Sequence, residues 1–411
     1  MSEGRNRKTV LIISQVFVPD PASVGQHMAD VAQEMSARGQ RVIVFTANRG
    51  YDDPRRKYVS RETRNGVEIR RLPLSSFGKT RMSLRFIAAW LFVLQCTIRG
   101  LFMRRLDTLL VSTSPPMAPF AGIVIGWFRR RVRIVFWCMD LNIDLLVAMG
   151  RASRWSPVVR FFGWMERAIL RRANHVVALD RYMADRLNAK LDVHDKMTVI
   201  APWPHEDHVA PVEHTDNPFR REHGIEDKIV IMFSGNLTVA ADVDTILEAA
   251  LKLQDDSRLL VMFIGGGSGK KRVEQLIAEK RPRNIVSLPY QPLERLRFSL
   301  SAADVHLVSV GDILVGLSHP CKVYGAMTVA RPILLLGPTP SHVADILGAH
   351  GCGWQIAHGD VDEAERTIRR ILDTPPHDLR EMGQRARQAV QEHFAMNRLR
   401  ANFCDLLMNG N

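Results

Sequence analysis

Short apolar runs alternating with amphipathic helical stretches, in two successive series, limit what this chain can fold into more than any other feature. The first series places candidate strands at 10–13, 41–45, 108–112, 133–136 and 175–178, with helices between them, for example at 25–38 and 157–172. Strands that are apolar throughout and joined by helical crossovers belong to a parallel sheet covered on both faces. Between 196 and 211 the pattern stops. Ala201-Pro202-Trp203-Pro204-His205 carries two prolines, which lack an N–H donor and fix φ, so neither helix nor sheet runs through it. A second series follows, at 229–233, 259–264, 285–288, 305–308 and 333–336. A length of 411 residues suits two cores of ordinary size. The expectation is an α/β protein of two Rossmann-like domains, 1–205 and 206–390, facing each other across a cleft. A last helix is expected over 379–408, and its end, 391–411, either returns toward the first domain or stays with the second.

Hydrophobic residues make up 46% and charged residues 24%, an ordinary globular balance. The five cysteines, Cys96, Cys138, Cys321, Cys352 and Cys404, are widely separated and form no CxxC pair. That pattern signals neither a zinc site nor a disulfide framework, and it suits a reducing cytosol. No leader segment is expected, because the apolar run after the polar first residues is too short, and no stretch of eighteen apolar residues marks a secure membrane span. The net charge of +13 is unevenly placed: from Arg55 to Arg105 there are thirteen Lys or Arg against Glu62 and Glu68. Such a face either attracts phosphate-bearing partners or is simply solvated. No motif that reads DNA or RNA accompanies the charge, so nucleic acid is not an expected partner.

Candidate chemistry gathers where strands end. After the first strand comes Pro19-Asp20-Pro21-Ala22-Ser23-Val24-Gly25-Gln26 and then a helix. Ligands of open parallel sheets bind at the carboxyl ends of strands, where helix N-termini offer free N–H groups. Ser23, Gly25 and Gln26 are therefore acceptor-site candidates, although a plain strand–helix turn would read the same. The third strand runs into Ser112-Thr113-Ser114-Pro115-Pro116, whose small hydroxyls can line a cleft. The fourth leads to Asp140, Asn142 and Asp144. A carboxylate there can bind an acceptor hydroxyl or take its proton, whereas Asp and Asn also cap helices. In the second series, Ser234-Gly235-Asn236-Leu237-Thr238 and Gly265-Gly266-Gly267-Ser268-Gly269-Lys270 each follow a strand. Both turns can meet phosphate, but neither carries the ending of a P-loop. In Ser318-His319-Pro320-Cys321-Lys322-Val323-Tyr324-Gly325, Lys322 enters a helix just after a loop, where an ammonium can pair with phosphate.

Taken together, these segments resemble the family 4 type of retaining glycosyltransferases with the GT-B architecture, most closely the branch that builds bacterial exopolysaccharide, colanic acid and O-antigen. The resemblance covers nearly the whole chain. It rests on D-T-L-L-V-S-T-S-P-P, Asp140, F-S-G-N-L, F-I-G-G-G, L-P-Y-Q-P, S-A-A-D-V-H-L-V-S and P-C-K-V-Y-G-A-M. It implies a nucleoside diphosphate sugar held by the C-terminal domain through Gly235, Asn236, Gly266, Pro289, Tyr290, Gln291, His319, Lys322 and Tyr324. The acceptor would lie on the N-terminal domain, with Asp140 and Asn142 at the chemistry and no metal or other cofactor. The chain departs from the family where many members carry two glutamates eight residues apart, since Leu317 and Gly325 stand there. Ala241 likewise replaces a usual histidine.

The expected activity is transfer of a sugar, with retention, to a polyprenyl-diphosphate-linked acceptor in surface polysaccharide assembly. A nucleotide-sugar epimerase and a non-catalytic sugar-nucleotide-binding subunit are the alternatives. The expected location is cytoplasmic, on the inner face of the membrane. Within residues 82–102 the uncharged apolar stretch 86–98 is flanked by Arg81, Arg85, Arg99, Arg104 and Arg105, and the segment is either a helix lying on an anionic bilayer or a buried core helix.

Overall fold

The computed structural model describes residues 7–20, 22–50, 55–75, 82–205, 210–238 and 241–408; Arg81 and Pro21 lie outside them. The chain divides into two compact units. One comprises Met1–Pro202, Gly316–Ser318 and Asn397–Asn411, and the other Trp203–Val315 and His319–Met396.

The first unit contains β1 (Thr9–Ile13), β2 (Arg41–Ala47), β3 (Arg61–Arg64), β4 (Val67–Leu72), β5 (Thr108–Ser112), β6 (Arg133–Trp137), β7 (His175–Ala178) and β8 (Met197–Val199). Its helices are α1 (Ser23–Ala37), α2 (Met82–Leu101), α3 (Ala118–Phe128), α4 (Asn142–Ala148), α5 (Pro157–Arg172) and α6 (Arg181–Lys190). The sheet order is β3-β4-β2-β1-β5-β6-β7-β8, and every pair is parallel except β3 with β4. Every residue of β1 and β5 is buried, as strands covered by helices on both faces must be.

The hairpin β3–β4 is absent from the expected elements. Its turn is Asn65-Gly66, both at positive φ (50° and 76°), the arrangement a two-residue hairpin turn requires. Arginines occupy so many of its positions that no apolar run shows.

Helix α2 is apolar on two faces. Ala88, Ala89, Phe92, Val93 and Cys96 are buried, while Leu84, Ile87, Leu94 and Ile98 are 39–54% exposed. By length and composition it could cross a membrane, but its inner face is fastened to the unit. A Cβ at Gly100 would lie 2.5 Å from Ile125 Cδ1 on α3.

The second unit contains β9 (Ile229–Asn236), β10 (Leu259–Gly266), β11 (Ile285–Leu288), β12 (Val305–Ser309), β13 (Ile333–Leu336) and β14 (Gly353–Ile356), in the order β11-β10-β9-β12-β13-β14, all parallel. Its helices are α7 (Pro218–His223), α8 (Asp244–Lys252), α9 (Lys270–Lys280), α10 (Leu296–Ser301), α11 (Lys322–Thr328), α12 (His342–His350), α13 (Val361–Asp373) and α14 (Pro376–His393). Arg220, almost wholly buried, ties this unit together through the carbonyls of Ala302, Ile225 and Lys228 at 2.6–2.7 Å and the Asp304 carboxylate at 3.1 Å.

The single helix expected at 379–408 is in fact two, α14 and α15 (Met396–Met408). The break falls at Phe394, whose ring packs 4.9 Å from Tyr324. Helix α15 packs in the first unit, with the Phe403 ring 4.1 Å from that of Trp137 at a tilt of 40° and Arg38 paired to Asp405 at 2.5 Å.

Candidate active site

In the first unit, the carboxyl edge of the sheet presents Asp140 just beyond β6. The backbone N–H groups of Met139 and Asp140 both donate to Thr113 Oγ1, at 3.2 and 3.1 Å, so Thr113 shapes this turn. The Leu141 N–H donates to the Leu317 carbonyl at 2.9 Å, and Ser318 Oγ donates to Asp140 Oδ1 at 2.8 Å. A short segment from far along the chain thus braces the aspartate. Burial raises the Asp140 carboxyl from its ordinary 3.8 to about 6, against the smaller downward pull of the Ser318 hydrogen bond. A carboxylate of that basicity, with part of its surface open to water, can take or orient a hydroxyl proton near neutral pH.

Asn142 opens α4 as its first helical residue. The cap position is Leu141, so the capping role open to Asn142 is not the one it has. Asp144 is not available to a ligand in the way its place in the sequence suggests. Its carboxylate accepts from Lys190 Nζ at 2.5 Å, and the same ammonium holds Glu166 at 2.5 Å. Lys190 and Glu166 come from α6 and α5, and nothing local in the sequence signals this cluster.

Ser23, Gly25 and Gln26 fall in the first turn of α1, at the carboxyl end of β1. Strands β1 and β6 are separated only by β5, so this turn and Asp140 share one edge, on the order of 10 Å apart at about 4.8 Å per strand. At Gly25 the backbone packs closely against the chain itself: a Cβ there would meet the Phe17 backbone at 3.1 Å. The glycine seats α1 on the preceding loop. The hydroxyl of Ser112 is likewise turned inward, accepting the Ser114 N–H at 3.2 Å.

In the second unit, the extended ends of β9 and β10 lie side by side because both are glycine. A Cβ at Gly265, where φ is 133°, would sit 2.0 Å from the Gly235 carbonyl oxygen. Across Gly235 runs the alkyl chain of Lys322, whose Cε would be 2.7 Å from a Cβ at that position. The Lys322 ammonium stands 5.3 Å from the centre of the Phe233 ring and has no hydrogen-bond or ion-pair partner among the described residues. Water reaches this side chain, yet protein surrounds it closely enough that desolvation holds its pKa below the ordinary lysine value. Asn236 ends β9 exposed. Gly266 faces the 59% exposed Tyr290, since a Cβ on the glycine would lie 2.8 Å from that ring. Pro289 is exposed beside it, and Gln291 folds back to donate to the Pro289 carbonyl at 3.2 Å.

His319 and Tyr324 stand differently from the ligand-contacting place expected of them. Tyr324 is 1% exposed, and its hydroxyl lies 2.8 Å from His319 Nε2 and 2.9 Å from His342 Nε2. Tyr324 and His319 are buried and His342 partly so, and the three side chains form a polar cluster in which His319 and Tyr324 flank Lys322 in the sequence. Lys270 is also engaged internally, donating to the Gly265 and Leu288 carbonyls at 2.8 and 2.6 Å, whereas Lys322 has no such partner among the described residues. Of the positions where the family has glutamates, Leu317 is buried. Gly325 lies within α11 with only Leu300 Cδ1 near, at 3.9 Å from a Cβ. Among the described residues, no three His, Cys, Asp or Glu stand together as a metal-holding group.

Two α/β units, each with an open, largely parallel sheet whose candidate ligand groups sit at its carboxyl edge, make up the GT-B architecture. The chain matches the Glycosyl transferase 4-like domain over residues 23–203 and the Glycosyl transferases group 1 domain over residues 216–389. It belongs to the family 4-type glycosyltransferases. It is 25% identical over 395 residues to the Pseudomonas aeruginosa protein that carries the name glycosyltransferase WbjE, covering 94% of each chain. It is 21% identical over 380 residues to the Escherichia coli K12 protein named for colanic acid biosynthesis, glycosyl transferase WcaI, covering 90% of this chain and 93% of that one. Among solved structures it resembles Anabaena HepE in complex with UDP-glucose, with a TM-score of 0.68 at 13% identity, covering 97% of this chain and 99% of the other. The chain is therefore a glycosyltransferase.

Proposed function

We propose that this enzyme moves a hexosyl group from a nucleoside diphosphate sugar to a polyprenyl-diphosphate-linked acceptor, retaining the anomeric configuration and using no metal or other cofactor. The observation that carries the reading is Lys322, an unpaired and partly desolvated ammonium laid over Gly235 at the end of β9. As the bond between the sugar and the diphosphate breaks, negative charge builds on the leaving group. An ammonium already in place stabilises that charge without reorganising at the moment of reaction. A bound diphosphate would also restore the charged form of Lys322, which burial disfavours. Gly235 and Gly266 let the backbone approach the phosphates, and the exposed Tyr290 ring offers a face for a base. The HepE complex with UDP-glucose supports this donor class. On the first unit, Asp140 would orient the acceptor hydroxyl and receive its proton, with Asn142 and the first turn of α1 nearby. Retention is carried over from the family resemblance.

The enzyme would work in the cytoplasm on the inner face of the membrane, where a lipid-linked acceptor presents its phosphates. The exposed apolar side of α2 supports that placement. A thermal-shift panel of nucleoside diphosphate sugars, followed by transfer to a polyprenyl-diphosphate acceptor, tests the proposal. One donor should raise the melting temperature and be consumed only with acceptor present. Conversion of the donor to its epimer without acceptor would replace this reading with that of an epimerase. Binding without turnover would make the chain a binding subunit.

A further inference from the structure

A groove of about 650 Å³ lies between the last turn of α2 and the face of β2, β4 and β3, lined by Arg41, Arg61, Arg70, Arg71, Arg99 and Arg104. Its size is that of a small-ligand site. The lining arginines are poorly compensated. Glu68 pairs with both Arg41 and Arg70, at 2.8 and 2.9 Å, and Glu62 pairs with Arg71 at 2.6 Å. Arg61, Arg99 and Arg104 have no carboxylate partner among the described residues. Arg61 and Arg70 also stand directly opposite each other across the β3–β4 pair. Like charges in that position oppose strand pairing, so folding alone does not favour this arrangement and an anion would relieve it.

The mouth of the groove is apolar. Phe102 lines it and is 82% exposed. From Phe102 an apolar stripe runs back along the outer side of α2 through Ile98, Leu94, the half-buried Leu91, Ile87 and Leu84, at helical spacings of three or four residues. A ligand that suits both features carries a phosphate and long hydrocarbon chains. The groove is also well removed from the acceptor edge: β4 stands four strands from β6, roughly 19 Å at about 4.8 Å per strand.

We infer that this groove binds the phosphate headgroup of an anionic bilayer phospholipid, with the acyl chains against the outer side of α2. It is a docking site separate from the reaction. The inference rests on the reading that α2 meets a bilayer and does not depend on the transfer chemistry.

The test is flotation of the full chain with vesicles of phosphatidylcholine alone or with 30 mol% phosphatidylglycerol. The wild type is compared with Arg61→Gln/Arg99→Gln/Arg104→Gln and with Arg366→Gln/Arg369→Gln/Arg380→Gln, which removes the same charge from exposed positions of the second unit. Each basic residue near an anionic surface contributes about a fivefold factor, so the groove variant should lose its preference for phosphatidylglycerol by roughly a hundredfold. The control should stay within about threefold, and the corresponding Arg→Lys groove variant should recover most of the preference. Equal losses in groove and control variants would overturn the inference, because net charge alone would then explain binding. So would a wild type with no preference for phosphatidylglycerol. Residual binding to neutral vesicles reports on the apolar side of α2 by itself, so its absence would count against the bilayer reading and not only against the groove. Displacement by 10 mM inorganic phosphate as complete as that by phosphatidylglycerol vesicles would assign the groove to a soluble anion and overturn the lipid assignment.

Discussion

Replacing Asp140 by Asn should make the protein more stable and less active, and the gain should depend on pH. The folded carboxyl has a pKa of about 6 against an ordinary 3.8, because burial disfavours its charged form. Between those two values the folded state binds more protons than the unfolded chain, so stability falls as pH rises through that window and levels off above it. Two units correspond to about 3 kcal/mol at roughly 1.36 kcal/mol each. The neutral amide still accepts the Ser318 hydroxyl but loses the charge assistance of that bond, which gives back about 1 kcal/mol. The net gain at pH 7.5 is therefore about 2 kcal/mol, or roughly 4–8 °C in melting temperature for a unit of this size. At pH 4, where the wild-type carboxyl is itself protonated in the folded state, the two proteins should melt within about 1–2 °C of each other. Calorimetry of both proteins from pH 4 to 8 measures the difference, and initial rates should fall by about a hundredfold or more. A difference in melting temperature that does not change with pH, or a variant less stable than the wild type at pH 7.5, would refute the reasoning.

Lys322→Ala should weaken donor binding tenfold to a hundredfold, as the loss of one charge-assisted contact implies, while leaving the melting temperature without ligand nearly unchanged; calorimetric titration with the donor checks both. Gly265→Ala should destabilise by more than about 2 kcal/mol, because its Cβ would stand 2.0 Å from a carbonyl oxygen at positive φ. Gly325→Ala, whose Cβ meets only Leu300 at 3.9 Å, should stabilise α11 by about 0.5–1 kcal/mol, and melting curves of the pair separate the two glycine roles. Transfer should persist in EDTA. Loss of activity restored by Mg²⁺ or Mn²⁺ would refute the metal-free mechanism.

What could be read from the sequence was set by how far each signal extends along the chain. Strands such as β1, β5 and β13 are buried on both faces, so each is a continuous apolar run. The hairpin β3–β4 carries its fold signal in Asn65-Gly66 and in alternation, which Arg61, Arg64, Arg70 and Arg71 obscure. The break at Phe394 is invisible locally, because it depends on a ring partner seventy residues earlier, Tyr324. Asp140 and Asp144 look equivalent in sequence. Only the fold shows that Lys190 takes the second, while Thr113 and Ser318 present the first. Lys270 and Lys322 both sit beside glycines at strand ends, and the backbone carbonyls of Gly265 and Leu288 claim the former.

The same comparison separates perturbed groups that serve the fold from those available to a ligand. His306 and His214 are both pushed down to about 4 by burial, yet each faces a backbone carbonyl, that of Leu300 at 2.9 Å and of Ala303 at 3.3 Å. Cys404 is pushed up to about 12 inside the α15 contact with the first unit. Their shifts follow from being packed: His306 and Cys404 are buried, and His214, although partly exposed, lies against the Ala303 carbonyl and 3.6 Å from Asp304. Asp140 and Lys322 are also shifted by desolvation, but water touches both. Desolvating a charge without a full set of partners costs free energy, and a stable fold tolerates that chiefly where a ligand supplies the missing partner. The two groups also have the signs the proposed reaction would call for: an ammonium for a leaving diphosphate in one unit and a carboxylate for an acceptor hydroxyl in the other. If Asp140→Asn raised the stability of the ligand-free protein and left donor binding unchanged, while Lys322→Ala weakened donor binding with little effect on the ligand-free melting temperature, the roles would be assigned independently. Equal effects of both substitutions on donor affinity would show that the two groups do not divide the substrates in this way.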